Sequence, residues 1–323
     1  MGTTAYMYLY GPVPSHRLGR SLGIDLVPYK ICSYDCIYCQ LGSIGSTTVT
    51  RKEYADNDRI LEELQRKLAD HNQPEYISLA GSGEPTLHSG IGELIRRIKL
   101  LTTVPLAVLT NGSLLWLPEV REDLMAADLV LPSLDAGDPA TFQQANRPDS
   151  SINFDQMVQG LIDFTSRFAG EVWLEVLLLA GISDTEPAVR RIAELVDRIK
   201  PARVQLNTVY RPPAESFART VAPAQLRHLS SLFSGLVDCI NDAPAPAAAT
   251  ESTDLPHQDE IIAFARRRPC TIHDLSTGLN LHLNDVLKQV RFLTDSGILV
   301  EVAGKRGYFG IPPAVCIPSE SCN

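Results

Sequence analysis

Between residues 24 and 206 the apolar positions of this chain alternate between two periods. Short apolar runs at 24–27, 76–79, 106–109, 129–134, 172–179 and 203–206 have the length and the Val, Ile and Leu content of buried strands. Between them, 59–70, 91–101, 118–127, 153–168 and 186–199 space their apolar residues three and four apart, as a helix with one buried face does. Six strands alternating with helices predict an α/β fold, a parallel sheet covered by helices. In such sheets functional groups collect at the C-terminal ends of the strands. The polar and glycine-rich segments of this chain fall there.

The pattern breaks at 241–253, NDAPAPAAATEST, where alternating proline and alanine give a stiff, extended linker. Beyond it, 257–267, 272–278 and 283–296 read as helices, and 298–302 and 307–311 as a hairpin across 303–306. Three helices and a hairpin predict a small α+β domain of winged-helix type. The expected organisation is a core at 1–240, a linker at 241–255, the winged-helix-like domain at 256–312 and a tail at 313–323.

Composition narrows the class. A chain of 323 residues, 44% apolar and 21% charged, suits one large globular domain and one small one. The strongest apolar run, 172–182, is short and carries Glu175, which predicts no membrane span. Residues 1–10 lack the basic flank of a signal peptide, so the cytoplasm is the expected location. A net charge of −9 argues against nucleic-acid affinity spread over the whole surface.

Seven cysteines in such a chain do not suggest a disulfide framework. Cys239, Cys270, Cys316 and Cys322 are scattered, but Cys32, Cys36 and Cys39 crowd into eight residues after the first strand, with the spacing C-x3-C-x2-C. Three thiolates on one short loop can each bind a different iron of one cluster. A ferredoxin-type site needs a fourth cysteine, and none lies nearby. An open coordination position is what a catalytic metal site keeps. On spacing alone, a three-cysteine zinc site completed by a distant histidine is the competing reading.

With Tyr38 before the last cysteine, the C-x3-C-x-aromatic-C pattern resembles the signature of the radical S-adenosylmethionine (SAM) superfamily. The stretch GPVPSHRLGRSLGIDLVPYKICSYDCIYCQLG, together with GSGEPTLH, TNG, SLDAG and NRP, is similar to a subgroup of iron–sulfur oxidoreductases of unassigned substrate. That subgroup is distantly similar to wybutosine-forming tRNA enzymes. The likeness runs from Gly11 to about Pro213. It implies a partial (β/α)6 TIM-like barrel and a [4Fe–4S] cluster on Cys32, Cys36 and Cys39 whose fourth iron chelates SAM. It further implies a flavodoxin- or ferredoxin-type electron donor. Reductive cleavage of SAM would give a 5′-deoxyadenosyl radical that takes hydrogen from an unidentified substrate.

The resemblance carries over to particular positions. Gly81, Ser82, Gly83 and Glu84 look like the turn that receives the SAM amino group, with Ser82 interrupting the glycine pair usual in the family. Thr110, Asn111 and Gly112 end the third strand, and Asn111 would face the SAM methionyl end or substrate. Ser133 and Asp135 end the fourth, opposite the ribose or the SAM carboxylate. Glu175 sits in an apolar strand and needs a partner, with SAM, Arg147 or another residue lining the barrel as candidates. Asn207 and Thr208 fall where adenine is contacted, and Tyr38 would pack near it. Arg17, Arg20 and Lys30 are basic groups that would tune the cluster or meet an anionic substrate.

Residues 256–312 carry seven Lys or Arg against six Asp or Glu, a net of +1 that leaves −10 for the rest of the chain. Arg266–Arg268 end one helix, where cations also suit the helix dipole, and Lys305 and Arg306 sit at the hairpin tip. Nucleic acid and a docked protein or peptide are both expectations for this domain. The tail cysteines, Cys316 and Cys322, are too few to bind a second cluster by themselves. Two functions compete with the SAM-cleaving oxidoreductase: an RNA- or tRNA-modifying enzyme of the same superfamily, and an iron–sulfur or zinc sensor acting through its winged helix.

Overall fold

The computed structural model describes residues 7–15, 17–43, 45–69, 73–240, 258–279, 281, 283–302, 305 and 307–312. The chain divides into two compact units, 6–245 and 246–323, the latter with 1–5. The expected linker 241–255 and tail, including Cys316 and Cys322, lie outside the described residues, as does Arg306.

The large unit is built on one eight-stranded sheet in sequential order. Its strands are β1 (Leu9–Ser15), β2 (Gly19–Ile24), β3 (Tyr76–Leu79), β4 (Leu106–Leu109), β5 (Leu129–Leu131), β6 (Glu171–Leu178), β7 (Arg203–Thr208) and β8 (Val237–Cys239). β1 and β2 form an antiparallel hairpin, and every later neighbour pairs parallel. The helices between them are α1 (Asn57–Leu68), α2 (Ile91–Leu101), α3 (Pro118–Leu124), α4 (Pro139–Asn146), α5 (Phe154–Arg167) and α6 (Glu186–Ile199), followed by α7 (Pro223–Ser230) before β8.

Alternation along β6 shows how the sheet is used. Val172, Leu174, Val176 and Leu178 are buried in the core shared with the helices, while Glu171, Trp173, Glu175 and Leu177 face the other way. That second face is lined lower down by Leu18, Ala107, Leu129 and Leu131. The Arg17 guanidinium, at the β1–β2 turn, binds the Glu175 carboxylate on β6. β2 and β6 are four strand spacings apart, about 19 Å in a flat sheet. An arginine cannot span that, so the sheet curls and its second face becomes an interior.

Two sequence expectations need correction. The first strand lies at Gly19–Ile24, not 24–27, and is preceded by β1. Gly11, Pro12 and Pro14 hide β1 in the sequence, but at a sheet edge a proline costs no ladder bond, and a bulge between Tyr10 and Val13 absorbs the irregularity. Helix α4 is also absent from the pattern reading because its apolar face is narrow. Its signal is the cap: the Asp138 carboxylate accepts from Thr141 N at 2.8 Å, with Pro139 following.

The small unit holds α8 (Gln258–Arg267), β9 (Cys270–Thr271), α9 (Ile272–Leu279), α10 (Leu283–Asp295), β10 (Val300–Glu301) and β11 (Tyr308–Gly310). Its antiparallel sheet runs β10-β11-β9, around buried Ile261, Phe264, Leu275, Val286, Val290, Leu293 and Leu299. Among the described residues, no helix of either unit is long and apolar enough to cross a membrane.

Candidate active site

The loop that follows β2 carries Cys32, Cys36 and Cys39 and is held from three sides by backbone bonds. Lys30 N donates to Ser82 O at 2.6 Å and Glu84 N to Ile31 O at 3.0 Å, tying the loop to the turn after β3. Ile37 N donates to Ala145 O, Asp35 N to Arg147 O and Asp149 N to Ser33 O, tying it to residues 145–149 at the end of α4 and just beyond. Glu215 N donates to Ile37 O from beyond β7. Loops after three different strands thus meet on the cysteine segment.

The glycine-rich turn fits this segment by lacking side chains. A Cβ on Gly83 would lie 2.0 Å from the Ile31 carbonyl oxygen, next to Cys32. Gly81, at φ +152°, would place one 2.6 Å from the Asp25 carboxylate. Ser82 completes the latch, with its N–H and hydroxyl both donating to Asp25. Glu84 is 1% exposed. Its carboxylate accepts from Thr86 N, Thr86 Oγ1, Thr110 Oγ1 and Asn111 N at 2.6–3.0 Å. Burial raises its pKa despite these donors. His88, at the end of the same motif, is buried with its Nδ1 accepting from Tyr54 N and its Nε2 on Asn57 Oδ1.

Around the thiols, two amides converge. Asn111 Nδ2 donates to Cys32 Sγ at 3.6 Å and to Ser33 Oγ at 2.9 Å. Asn146 Nδ2 donates to Cys36 Sγ at 3.6 Å, to Tyr38 OH at 2.9 Å and to Asp135 Oδ2 at 2.8 Å. The Tyr38 hydroxyl donates to that same Asp135 oxygen, and Leu177 N to the other. Burial pushes Asp135 up to about 6 although all three donors favour its charge. Asn146 receives no role from the sequence, although it opens the NRP motif, because it closes a helix whose only strong signal is its N-cap.

Glu175 does not pair with Arg147, which binds Glu215 at 2.6 Å. Its partners are Arg17, through both nitrogens, and Asn207 Nδ2 at 3.0 Å. Both charged side chains are about one-sixth exposed. Asn207 Oδ1 accepts from Thr208 N, and Thr208 Oγ1 donates to Leu178 O. Ser133 meets Glu175 through the backbone.

The three thiols fit a metal cluster by their chemistry. Burial pushes Cys32 up to about 12 and raises Cys36 and Cys39, with the buried Glu84 carboxylate adding to the rise at Cys32. Such thiols are neutral and poorly nucleophilic until a metal displaces their protons. Among the described residues, no three His, Cys, Asp or Glu side chains converge on one metal ion. A cubane spreads its ligands over separate irons and makes no such demand.

Comparison with known proteins agrees with this arrangement. Residues 26–207 match the family model described as the Radical SAM superfamily. The chain is 41% identical over 290 residues to a protein named GTPase Obg from Brachyspira hyodysenteriae, covering 90% of this chain but 43% of that one. It therefore spans less than half of that relative. It is 32% identical over 230 residues to UPF0026 protein MJ1312 of Methanocaldococcus jannaschii, covering 71% of each. In fold it resembles the structure of TYW1 with a lysine-pyruvate adduct bound, with a TM-score of 0.52 at 16% identity over 69% of this chain and 74% of that one. The cysteine loop, the turn that buttresses it and strands β3 to β6 lie inside the matched segment, and the chain belongs to the radical SAM superfamily.

Proposed function

We propose that this radical SAM enzyme binds a [4Fe–4S] cluster through Cys32, Cys36 and Cys39 and cleaves SAM reductively to act on a substrate not yet identified. When bound, the cluster would pass an electron to SAM, yielding methionine and a 5′-deoxyadenosyl radical that takes hydrogen from substrate. The observation that carries the reading is the approach of Gly83 to the Ile31 carbonyl: only a residue without a side chain lets the turn after β3 lie against the cysteine loop.

In this reading the protein's part is to bind and orient. Backbone carbonyls of the Gly81–Gly83 turn would accept from the SAM ammonium, since the Glu84 carboxylate is already saturated by internal donors. Among the described residues the Ser133 hydroxyl has no partner, and it would face the ribose or carboxylate. Asp135 would fix Tyr38 beside the cysteine loop, and the Arg17–Glu175–Asn207 group would set the polarity of the interior where substrate enters. The electron would come from a flavodoxin- or ferredoxin-type donor.

The small unit has the element order of a winged helix, helix-strand-helix-helix-hairpin, and we assign it that fold. On α10, where such domains read DNA, Leu283, Leu287 and Phe292 are 44, 42 and 56% exposed. Leu283 and Leu287, one turn apart on one side of the helix, favour a protein or peptide over nucleic acid.

Anaerobic reconstitution with iron and sulfide tests the function. The expected product is a brown protein with about four irons per chain, which forms 5′-deoxyadenosine from SAM and dithionite. A colourless protein that retains stoichiometric zinc and forms none would instead support the sensor reading.

A further inference from the structure

We infer that Asn111 and Asn146 are positioning residues for the cluster, their side-chain amides donating N–H···S hydrogen bonds to Cys32 and Cys36 and raising its reduction potential. The inference rests on the cluster reading above and assigns a property to residues outside the cysteine motif.

The geometry fixes both amides the right way round. A backbone N–H can only donate, and Ser113 N donates to Asn111 Oδ1 at 2.9 Å. The NH2 of Asn111 is thereby turned toward Cys32 and Ser33. On the other side, Asn146 Nδ2 lies 2.8 Å from an Asp135 carboxylate oxygen, which accepts. One hydrogen goes to Asp135, and the other is shared between Tyr38 OH and Cys36 Sγ. Asn146 is 2% exposed and its own Oδ1 has no partner, so the residue is held by what its nitrogen donates to.

The two donors arrive from separate elements. Asn111 ends β4 and is anchored by Glu84, whereas Asn146 ends α4 and is anchored by Asp135. A donor facing a thiolate sulfur withdraws electron density from the iron it ligates. The reduced cluster carries one more negative charge than the oxidised one, so it gains more from each bond. Removing either amide should make reduction harder, and removing both should add, because the donors share no partner.

The experiment is a redox titration of the reconstituted full-length protein, followed by electron paramagnetic resonance without SAM. Wild type is compared with Asn111→Ala, Asn146→Ala and the double variant, with iron content measured on each sample. We expect a tenfold loss in the reduction equilibrium for each single change, a midpoint about 59 mV more negative for a one-electron couple. The double variant should lose about a hundredfold. Deuterium exchange followed by nuclear double resonance should show one exchangeable coupling lost per substitution. Single variants that keep full iron, the wild-type midpoint and all couplings would overturn the inference. If Asn146→Ala takes up no iron, Asn111→Ala alone decides by the same two readouts. Wild-type protein that takes up no iron overturns the cluster reading and this inference together.

Discussion

Glu84 Oε2 accepts a 2.7 Å hydrogen bond from the backbone N–H of Asn111, so the turn after β3 fixes the residue at the end of β4 whose amide faces Cys32. Two motifs that look independent in sequence are one unit in space. Glu84→Gln keeps the shape but turns one acceptor into a donor. Its NH2 must then face either Asn111 N or the three donors on Oε1. A buried donor left facing a donor costs about 1–3 kcal/mol. Thermal unfolding of the apo-protein should fall accordingly, by more than for Glu93→Gln on the exposed face of α2. An unchanged melting temperature would remove Glu84 from its structural role.

Gly83→Ala tests the closeness of the turn to the cysteine loop. The added methyl would sit 2.0 Å from a backbone oxygen, which cannot swing aside as a flexible side chain would. The loop must move, and with it Cys32. Iron bound after reconstitution should drop to half or less of wild type, while Gly310→Ala, whose methyl would meet only Val302 Cγ2 at an ordinary 3.6 Å, should retain it. Equal iron in both would show that the approach does not matter for the cluster.

Arg17 and Glu175 form the ion pair that crosses the interior. Removing one partner leaves a largely buried charge without its counterion, which costs about 3–5 kcal/mol in buried pairs. Arg17→Ala and Glu175→Ala should each destabilise by about that amount, and the double variant by less than the sum. Denaturant melts of the four proteins give the coupling directly. Strict additivity would mean that the pair adds nothing beyond two separate burials.

His88 gives the protein an acid sensitivity that does not depend on the cluster. Burial, and the Arg51 charge nearby, lower its pKa from 6.5 to about 4. Its Nδ1 accepts from Tyr54 N, so a proton there would confront an N–H. The unfolded chain binds that proton below its own pKa and the folded chain does not. Stability is therefore complete above pH 6.5 and is lost as pH falls toward 4. The loss should reach about 2–3 kcal/mol. His88→Asn should be less stable at neutral pH, with a flatter profile between pH 6.5 and 4. A wild-type profile flat across that window would refute the assignment.

The parallel core was legible because every strand and helix between 76 and 206 except α4 keeps one period over its length, and four elements coincide with their predicted limits. The β1–β2 hairpin was not, since Gly11, Pro12 and Pro14 carry turn signals that only an edge position neutralises. Within the site, the cysteines and the glycine turn were legible as motifs, but their roles were not separable. Spacing shows that Glu84 ends a turn; only the fold shows its carboxylate spent on Thr86, Thr110 and Asn111. For Glu175 the sequence offers Arg147 or another residue lining the barrel as a partner without choosing between them. The curl of the sheet brings Arg17 there, and no local pattern encodes a contact 158 residues apart.

All proposed cluster and SAM residues lie between Cys32 and Asn207, inside the unit that ends at Ala245. A chain cut after that residue should therefore fold, reconstitute the cluster and form 5′-deoxyadenosine from SAM at the wild-type rate when no substrate is present. Turnover of the native substrate should fall if the small unit delivers it. The exposed Leu283 and Leu287, on one side of α10, predict how. Leu283→Glu with Leu287→Glu should weaken binding to a protein or peptide partner by about tenfold or more, because each places a charge in an interface core. Lys305→Glu should do little. Were the partner RNA, the pattern would invert: affinity would fall steeply with added salt, and Lys305→Glu would matter more than the apolar changes. A truncated chain that cannot be obtained folded would show that the two units depend on each other, and the separation of chemistry from recognition would fail with it.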